Sequence, residues 1–189
     1  RPLRPMFPKG MRNEVQIIAT QFQTDGDHAS APLCITGASL AIQMAGMPFE
    51  RSVAAVQVGM DAQGNFITNP SGEEIAETGL DFVVAGTEDS IMMVEAGANL
   101  ISNEKAVEVL EYAHAEIKKL CKLQDEFLSG MTIEPQDFEV ASESDTYARA
   151  AEWVDQNVSE DDFTTIAGVT KKEVEKKMNA LEEKLFEAG

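Results

Sequence analysis

Between Val53 and Ala96 the sequence twice sets a pair of short, strand-forming runs around a polar turn, and this repetition constrains the fold more than any other feature. Val53–Met60 and Phe66–Thr68 flank Asp61–Asn65, while Leu80–Ala85 and Ile91–Ala96 flank Gly86–Asp89. Runs rich in valine and isoleucine bounded by glycine, asparagine and aspartate read as β-hairpins. Two hairpins expose apolar surface that they cannot bury alone, and a covering element follows. Ser102 supplies an N-cap and Glu104 a first-turn acid for a helix running to about Leu128, with Val107, Leu110, Ile117, Cys121 and Leu128 toward one face.

Upstream, Pro2, Pro5 and Pro8 predict an extended start, because each removes a donor and restricts its predecessor. Glu14–Phe22, rich in valine, isoleucine and threonine, reads as a strand. Thr24–Ser30 is a polar loop, and Pro32 opens a helix of small residues that Gly46 and Pro48 stop near Ala45. Downstream, residues 131–146 read as a loop around Pro135, and Tyr147–Val158 and Lys171–Glu187 read as helices, the last with Val174, Met178, Leu181 and Leu185 at helical spacing. The fold class that results is α+β, a β-rich core followed by an all-α appendage.

The chain of 189 residues is long enough for a sizeable core, and an apolar fraction of 43% suits a globular protein. Two cysteines, Cys34 and Cys121, make no disulfide scaffold, so a reducing compartment is expected. No apolar run approaches the ~18 residues that would cross a membrane. The formal charge of −18 repels nucleic acid and anionic lipid at long range. That charge is uneven. Residues 1–12 carry Arg1, Arg4, Lys9 and Arg12 and no acid, whereas residues 131–170 carry ten acids against the single base Arg149.

Most chemistry-bearing residues read as structural. His28 and His114 stand apart, one in a loop and one on a helix, and the two cysteines lack zinc spacing. Cys34 is expected to be a buried thiol, and Met92 and Met93 to belong to the core. Asp25 and Asp27 resemble half a calcium loop without its remaining ligands. Gly59 and Gly64 bracket a hairpin turn and make no phosphate cradle. Glu160, Asp161 and Asp162 follow Ser159 and either start a helix or face solvent. Arg1 and Arg4 differ. In extended chain, residues three apart lie about 10 Å from each other, a spacing that lets them grip two neighbouring phosphates. The alternative is that their stems cover apolar surface or that they pair with acids.

These residues also carry a resemblance. The run Arg1–Gly10, Arg-Pro-Leu-Arg-Pro-Met-Phe-Pro-Lys-Gly, followed by Asn13–Thr20, closely resembles the bacterial polynucleotide phosphorylase family. The similarity continues through Gly37–Ala41, Gly46–Phe49, Val58-Gly59, Leu80–Thr87 and Met93–Ala96, in order and with similar spacing. It implies a phosphorolytic 3′-to-5′ exoribonuclease that attacks terminal RNA phosphodiesters with inorganic phosphate and releases nucleoside diphosphates. Magnesium, single-stranded RNA, a ring-shaped homotrimer, the RNA-degradation machinery and a cytoplasmic, membrane-free location are implied with it. By this resemblance residues 1–130 match the later part of the first of two RNase PH-like cores, with its upstream strands missing. Residues 131–189 match the family's all-α linker domain.

The resemblance also implies that chemistry lies elsewhere. The family's second core holds a Met-Asp-Phe-Lys block whose aspartate and lysine serve metal binding and catalysis. Here the equivalent block is Leu80-Asp81-Phe82-Val83, and a valine neither holds a metal-bound phosphate nor balances developing charge. A further family carboxylate falls at Ile75, and a phosphate-binding serine pair at Ser30 and Ala31. The expectation is a degenerate site near Asp81 and Val83, with no catalytic residue and no metal ligand in this chain. Magnesium would then bind outside the segment, and Arg1 and Arg4 would contact RNA. A stand-alone, non-catalytic RNA-channel or assembly module is the alternative.

Overall fold

A computed structural model describes residues 1–138, 145–164 and 170–188. The chain divides into two compact units, Arg1–Val140 and Ala141–Gly189. In the first, a helix α1 (Ala31–Met44) precedes the hairpin β1 (Ala54–Met60) and β2 (Phe66–Thr68). A short helix α2 (Gly72–Thr78) then leads to the hairpin β3 (Leu80–Gly86) and β4 (Ile91–Ala98), and the long helix α3 (Asn103–Ser129) follows. Both expected hairpins form and join through β1 and β3 into a four-stranded antiparallel sheet of order β2-β1-β3-β4. With α3 against it, the unit is α+β, as its sequence pattern requires.

The side-chain period of two puts Ala54, Val56, Val58, Leu80, Phe82 and Val84 on one face of the sheet. That face packs on Val109, Ala113, Ile117 and Cys121 of α3, and all ten are buried. The stripe on α3 repeats every four residues, so Val107, expected on the apolar face, lies about 200° around the helix from Val109 and is 54% exposed. Ser102 caps α3, its Oγ accepting from the Lys105 amide at 3.1 Å.

β2 covers only Val58–Met60 of β1, which leaves donors at the rest of that edge. An unpaired buried amide is costly, and α1 supplies acceptors. Ser39 Oγ takes the Val53 amide at 2.8 Å and Thr36 Oγ1 the Ala55 amide at 3.1 Å, while Asn69 Oδ1 takes that of Gln57 at 3.4 Å. The small side chains of α1 permit this close approach. The helix ends where expected: Gly46 adopts φ +69°, and the Met47 amide returns to the Ile42 carbonyl at 3.3 Å, a Schellman ending.

Several expectations fail for identifiable reasons. Glu14–Phe22 forms no strand, because a strand needs a ladder partner and none exists among the described residues. The segment instead runs along α1, where Ile17–Gln23, Leu33 and Ala41 line a shallow groove of about 400 Å³. Residues 1–10 are not extended throughout. Arg4–Met6 form a 3₁₀ turn, compatible with the fixed φ of Pro5. α2 has no counterpart in the sequence reading, although Ser71 and Glu74 form a full capping box and Gly79 closes the helix at φ +64°. Cys34 is half-buried, and Met92 and Met93 are half-buried on an edge strand rather than enclosed in the core.

The first unit extends beyond residue 130, since the Gln136 amide donates to the Gly46 carbonyl at 2.9 Å. The expected loop 131–146 is irregular through residue 138, and residues 139–144 lie outside the described residues. In the second unit the described residues form α4 (Asp145–Asn157), α5 (Glu160–Thr164) and α6 (Lys171–Ala188). The acidic run does start a helix: Asp162 Oδ2 accepts from the Ser159 amide at 2.9 Å and hydroxyl at 2.7 Å, which lowers the Asp162 pKa. Trp153, Val154, Met178, Leu181 and Leu185 line an apolar groove between α4 and α6. No described helix is long and apolar enough to cross a membrane.

Candidate nucleic-acid interface and the Asp81 face

The amino-terminal segment is fixed to the connection between α1 and β1. Pro2 is buried, the Met6 carbonyl accepts from the Glu50 amide at 3.1 Å, and the rings of Phe7 and Phe49 meet edge to face with centroids 5.2 Å apart. Arg1 and Arg4 remain exposed on this anchored segment and have no ion-pair partner among the described residues. Their expected separation needs correction. Leu3 has helical angles, φ −82° and ψ −29°, and leads into the 3₁₀ turn. The chain is therefore not fully extended between them, and the spacing of about 10 Å expected of extended chain is not reached.

Asp81 and Val83 lie on the sheet face opposite α3. Register places Gln57, Val83 and Glu95 in one row across β1, β3 and β4, with Asp81 one step along β3. Gln57 is only 4% exposed, and its Nε2 donates to Asp81 Oδ1 at 2.7 Å. Asp81 thus satisfies a buried amide. The residues around it are a valine, a primary amide and, diagonally across the ladder, the exposed Glu95. That donor set does not fit magnesium, which takes carboxylates and waters in octahedral array. Among the described residues no group of three or more histidine, cysteine, aspartate or glutamate side chains is placed to hold a metal ion. Ile75 lies on α2, while Ser30 and Ala31 stand at the start of α1, where the Ser30 side chain makes no cap bond. Gln57 and Glu95 escape sequence reading because only the three-strand register brings them to Asp81.

Several further titratable groups are held by local structure. Asp25 Oδ1 accepts from the amides of Asp27 and His28 at 3.0 and 3.1 Å, and Oδ2 accepts from His28 Nδ1 at 2.7 Å. The backbone amides hold the Asp25 pKa far below the usual carboxylate range. The Asp25 carboxylate in turn raises His28 above its ordinary value of 6.5. Asp27 ties the loop to α2, its carbonyl and Oδ1 accepting from the Gly72 amide at 3.1 and 3.0 Å. The half calcium loop is therefore a hydrogen-bonded turn. A raised histidine pKa favours the folded loop below the unfolded value, and that contribution fades as pH rises through the folded one. An NMR titration should find His28 titrating above 6.5, and Asp25→Asn should return it to the ordinary range. An unchanged His28 titration in that variant would contradict the pairing.

His114 is half-buried, and its Nε2 lies 3.2 Å from the Thr87 carbonyl, which can only accept, so Nε2 carries the proton. Cys121 lies beside the Ser52 carbonyl at 3.4 Å. Burial first, and the nearby Asp125 charge second, push its thiol up to about 11. Such a thiol is a poor nucleophile at neutral pH.

Residues 52–116 match the model of the 3' exoribonuclease family, domain 2. The Polyribonucleotide nucleotidyltransferase of Gloeobacter violaceus is 46% identical over 138 residues, covering 73% of this chain and 19% of that protein. That of Halothermothrix orenii is 45% identical over 126 residues, 67% of this chain and 18% of its own length. That of Chloroflexus aurantiacus is 44% identical over 128 residues, 68% and 17% respectively. The chain spans about a fifth of the length of the curated relatives it matches. The matched span 52–116 holds all four strands and the first half of α3, the same elements that carry Gln57, Asp81 and Glu95. The chain carries the second domain of the 3′ exoribonuclease family and is a relative of the polyribonucleotide nucleotidyltransferases.

Proposed function

We propose that this chain forms part of a phosphate-dependent 3′-to-5′ exoribonuclease, a polynucleotide phosphorylase, in which it supplies scaffold and RNA-path contacts while another core supplies the catalytic site. The observation that carries the family assignment is the 43–46% identity to proteins named for nucleotidyl transfer to polyribonucleotides. The supporting observation for a non-catalytic role is the Asp81–Gln57 bond beside Val83. A carboxylate that accepts from a buried amide beside a valine is poorly placed to hold a metal or stabilise a leaving group. In this reading the first unit is the later part of the first RNase PH-like core and the second unit the all-α linker domain. The complete enzyme is a cytoplasmic homotrimer acting in RNA degradation. It uses magnesium bound outside this chain, and inorganic phosphate attacks the terminal phosphodiester of single-stranded RNA to release a nucleoside diphosphate.

Arg1 and Arg4 have the part of holding RNA phosphates, contacts that position a strand without reading its sequence. In the complete gene product, Arg1→Ala with Arg4→Ala should raise KM for polyadenylate several-fold and leave kcat at saturating RNA within about twofold. A wild-type KM in the double variant would remove the arginines from the RNA path. A collapse of kcat with unchanged KM would make them part of the chemistry.

A further inference from the structure

The positive charge of the amino-terminal segment does not end at Arg4. Lys9 and Arg12 are exposed as well, and no acid occurs before Glu14. Lys9 lies within a second turn and Arg12 directly after it: the Met11 amide donates to the Pro8 carbonyl at 3.2 Å, and Gly10 takes φ +90°. Neither side chain has an ion-pair partner among the described residues. Elsewhere in the chain Arg51, Lys105, Lys119 and Lys184 each meet an acid. Glu50, whose backbone meets the segment at Met6, is exposed and makes no ion pair with it. The segment is held by the buried Pro2, the Met6–Glu50 bond and the Phe7–Phe49 contact. Cations on an anchored backbone lose less freedom on binding than cations on a loose tail.

We propose that Lys9 and Arg12 are additional phosphate-positioning residues that continue the track begun by Arg1 and Arg4 along single-stranded RNA. The inference rests on the RNA-path reading above and extends it to the basic residue within the Pro8–Met11 turn and the one that follows it. Contacts of this kind act by charge and counterion release. Each should therefore appear in the salt dependence of binding more than in any base preference.

The test is binding of fluorescent polyadenylate to the complete gene product, without phosphate, across a salt series. Each phosphate contact on a single strand contributes about 0.7 to the slope of log affinity against log salt. Lys9→Ala with Arg12→Ala should therefore flatten the slope by about 1.4, so that the advantage of wild type shrinks about sevenfold between about 50 and about 200 mM salt. Lys9→Arg with Arg12→Lys should keep the wild-type slope. Lys118→Ala with Lys122→Ala removes the same charge from the exposed surface of α3 and should leave the slope unchanged. The proposal is overturned if the Lys9/Arg12 double variant behaves like the Lys118/Lys122 one. If Arg1→Ala with Arg4→Ala weakens binding in that case, only the extension fails. If neither amino-terminal pair matters, the RNA-path reading fails with it. All four side chains are exposed, and superimposable melting curves establish that the variants fold.

Discussion

Truncation of Ile117 to alanine should lower the stability of the first unit by about 2–5 kcal/mol, the range for removing a buried aliphatic side chain together with its cavity. Ile117 is fully buried at the centre of the α3 stripe, against the sheet face built by Val56, Val58, Phe82 and Val84. Val107 sits on the same helix and was expected on the same face, yet it is 54% exposed. Val107→Ala should change stability by no more than about 0.5 kcal/mol. Urea unfolding of both variants checks the contrast, with an unchanged m-value required for the comparison. Equal losses in the two variants would mean that α3 packs in a different rotation.

That contrast shows where sequence pattern was sufficient and where it was not. The runs between Val53 and Ala96 are rich in strand-forming residues and bounded by turn residues, and both hairpins form in the expected places. The long helix is legible from its Ser102 cap and its apolar spacing, but its rotation depends on which apolar residues meet the sheet. A stripe at 109, 113, 117 and 121 becomes evident only once the sheet is assembled. Glu14–Phe22 has the composition of a strand and lacks a ladder, because strand propensity describes fit to a neighbouring strand and not an intrinsic backbone preference. α2 was readable and missed: Ser71, Gly72, Glu73 and Glu74 spell a capping box. Pro2, Pro5 and Pro8 suggest an extended start, although Pro5 also suits the 3₁₀ turn observed at Arg4–Met6.

The Asp81 face divides in the same way. Alternation alone puts Asp81 and Val83 on one side of β3, and a valine at 83 is visible in the sequence. The partner Gln57 is 24 residues away and arrives only through the β1–β3 register. From that partnership follows the second large effect. Asp81→Leu removes the acceptor of a nearly buried primary amide and should cost about 1–3 kcal/mol, the penalty of an unsatisfied buried donor. Asp81→Asn retains an oxygen in the same place and should cost less. In the Asp81→Leu background, Gln57→Leu should recover part of the loss, since replacing both partners by apolar groups removes the orphaned donor. A double variant as unstable as the sum of the two single changes would show that Asp81 and Gln57 are not coupled.

The central claim, that this chain guides RNA while the chemistry lies outside it, turns on Asp81. The most direct measurement is phosphate-dependent release of ADP from polyadenylate by the complete gene product carrying Asp81→Asn, with magnesium present. The expected kcat lies within about twofold of wild type, because the asparagine oxygen still accepts from Gln57 and no reacting group has been touched. A fall of about 10²-fold or more in kcat, the scale of losing a group that stabilises the transition state, in a protein that melts normally would place the active centre at Asp81 and contradict the account.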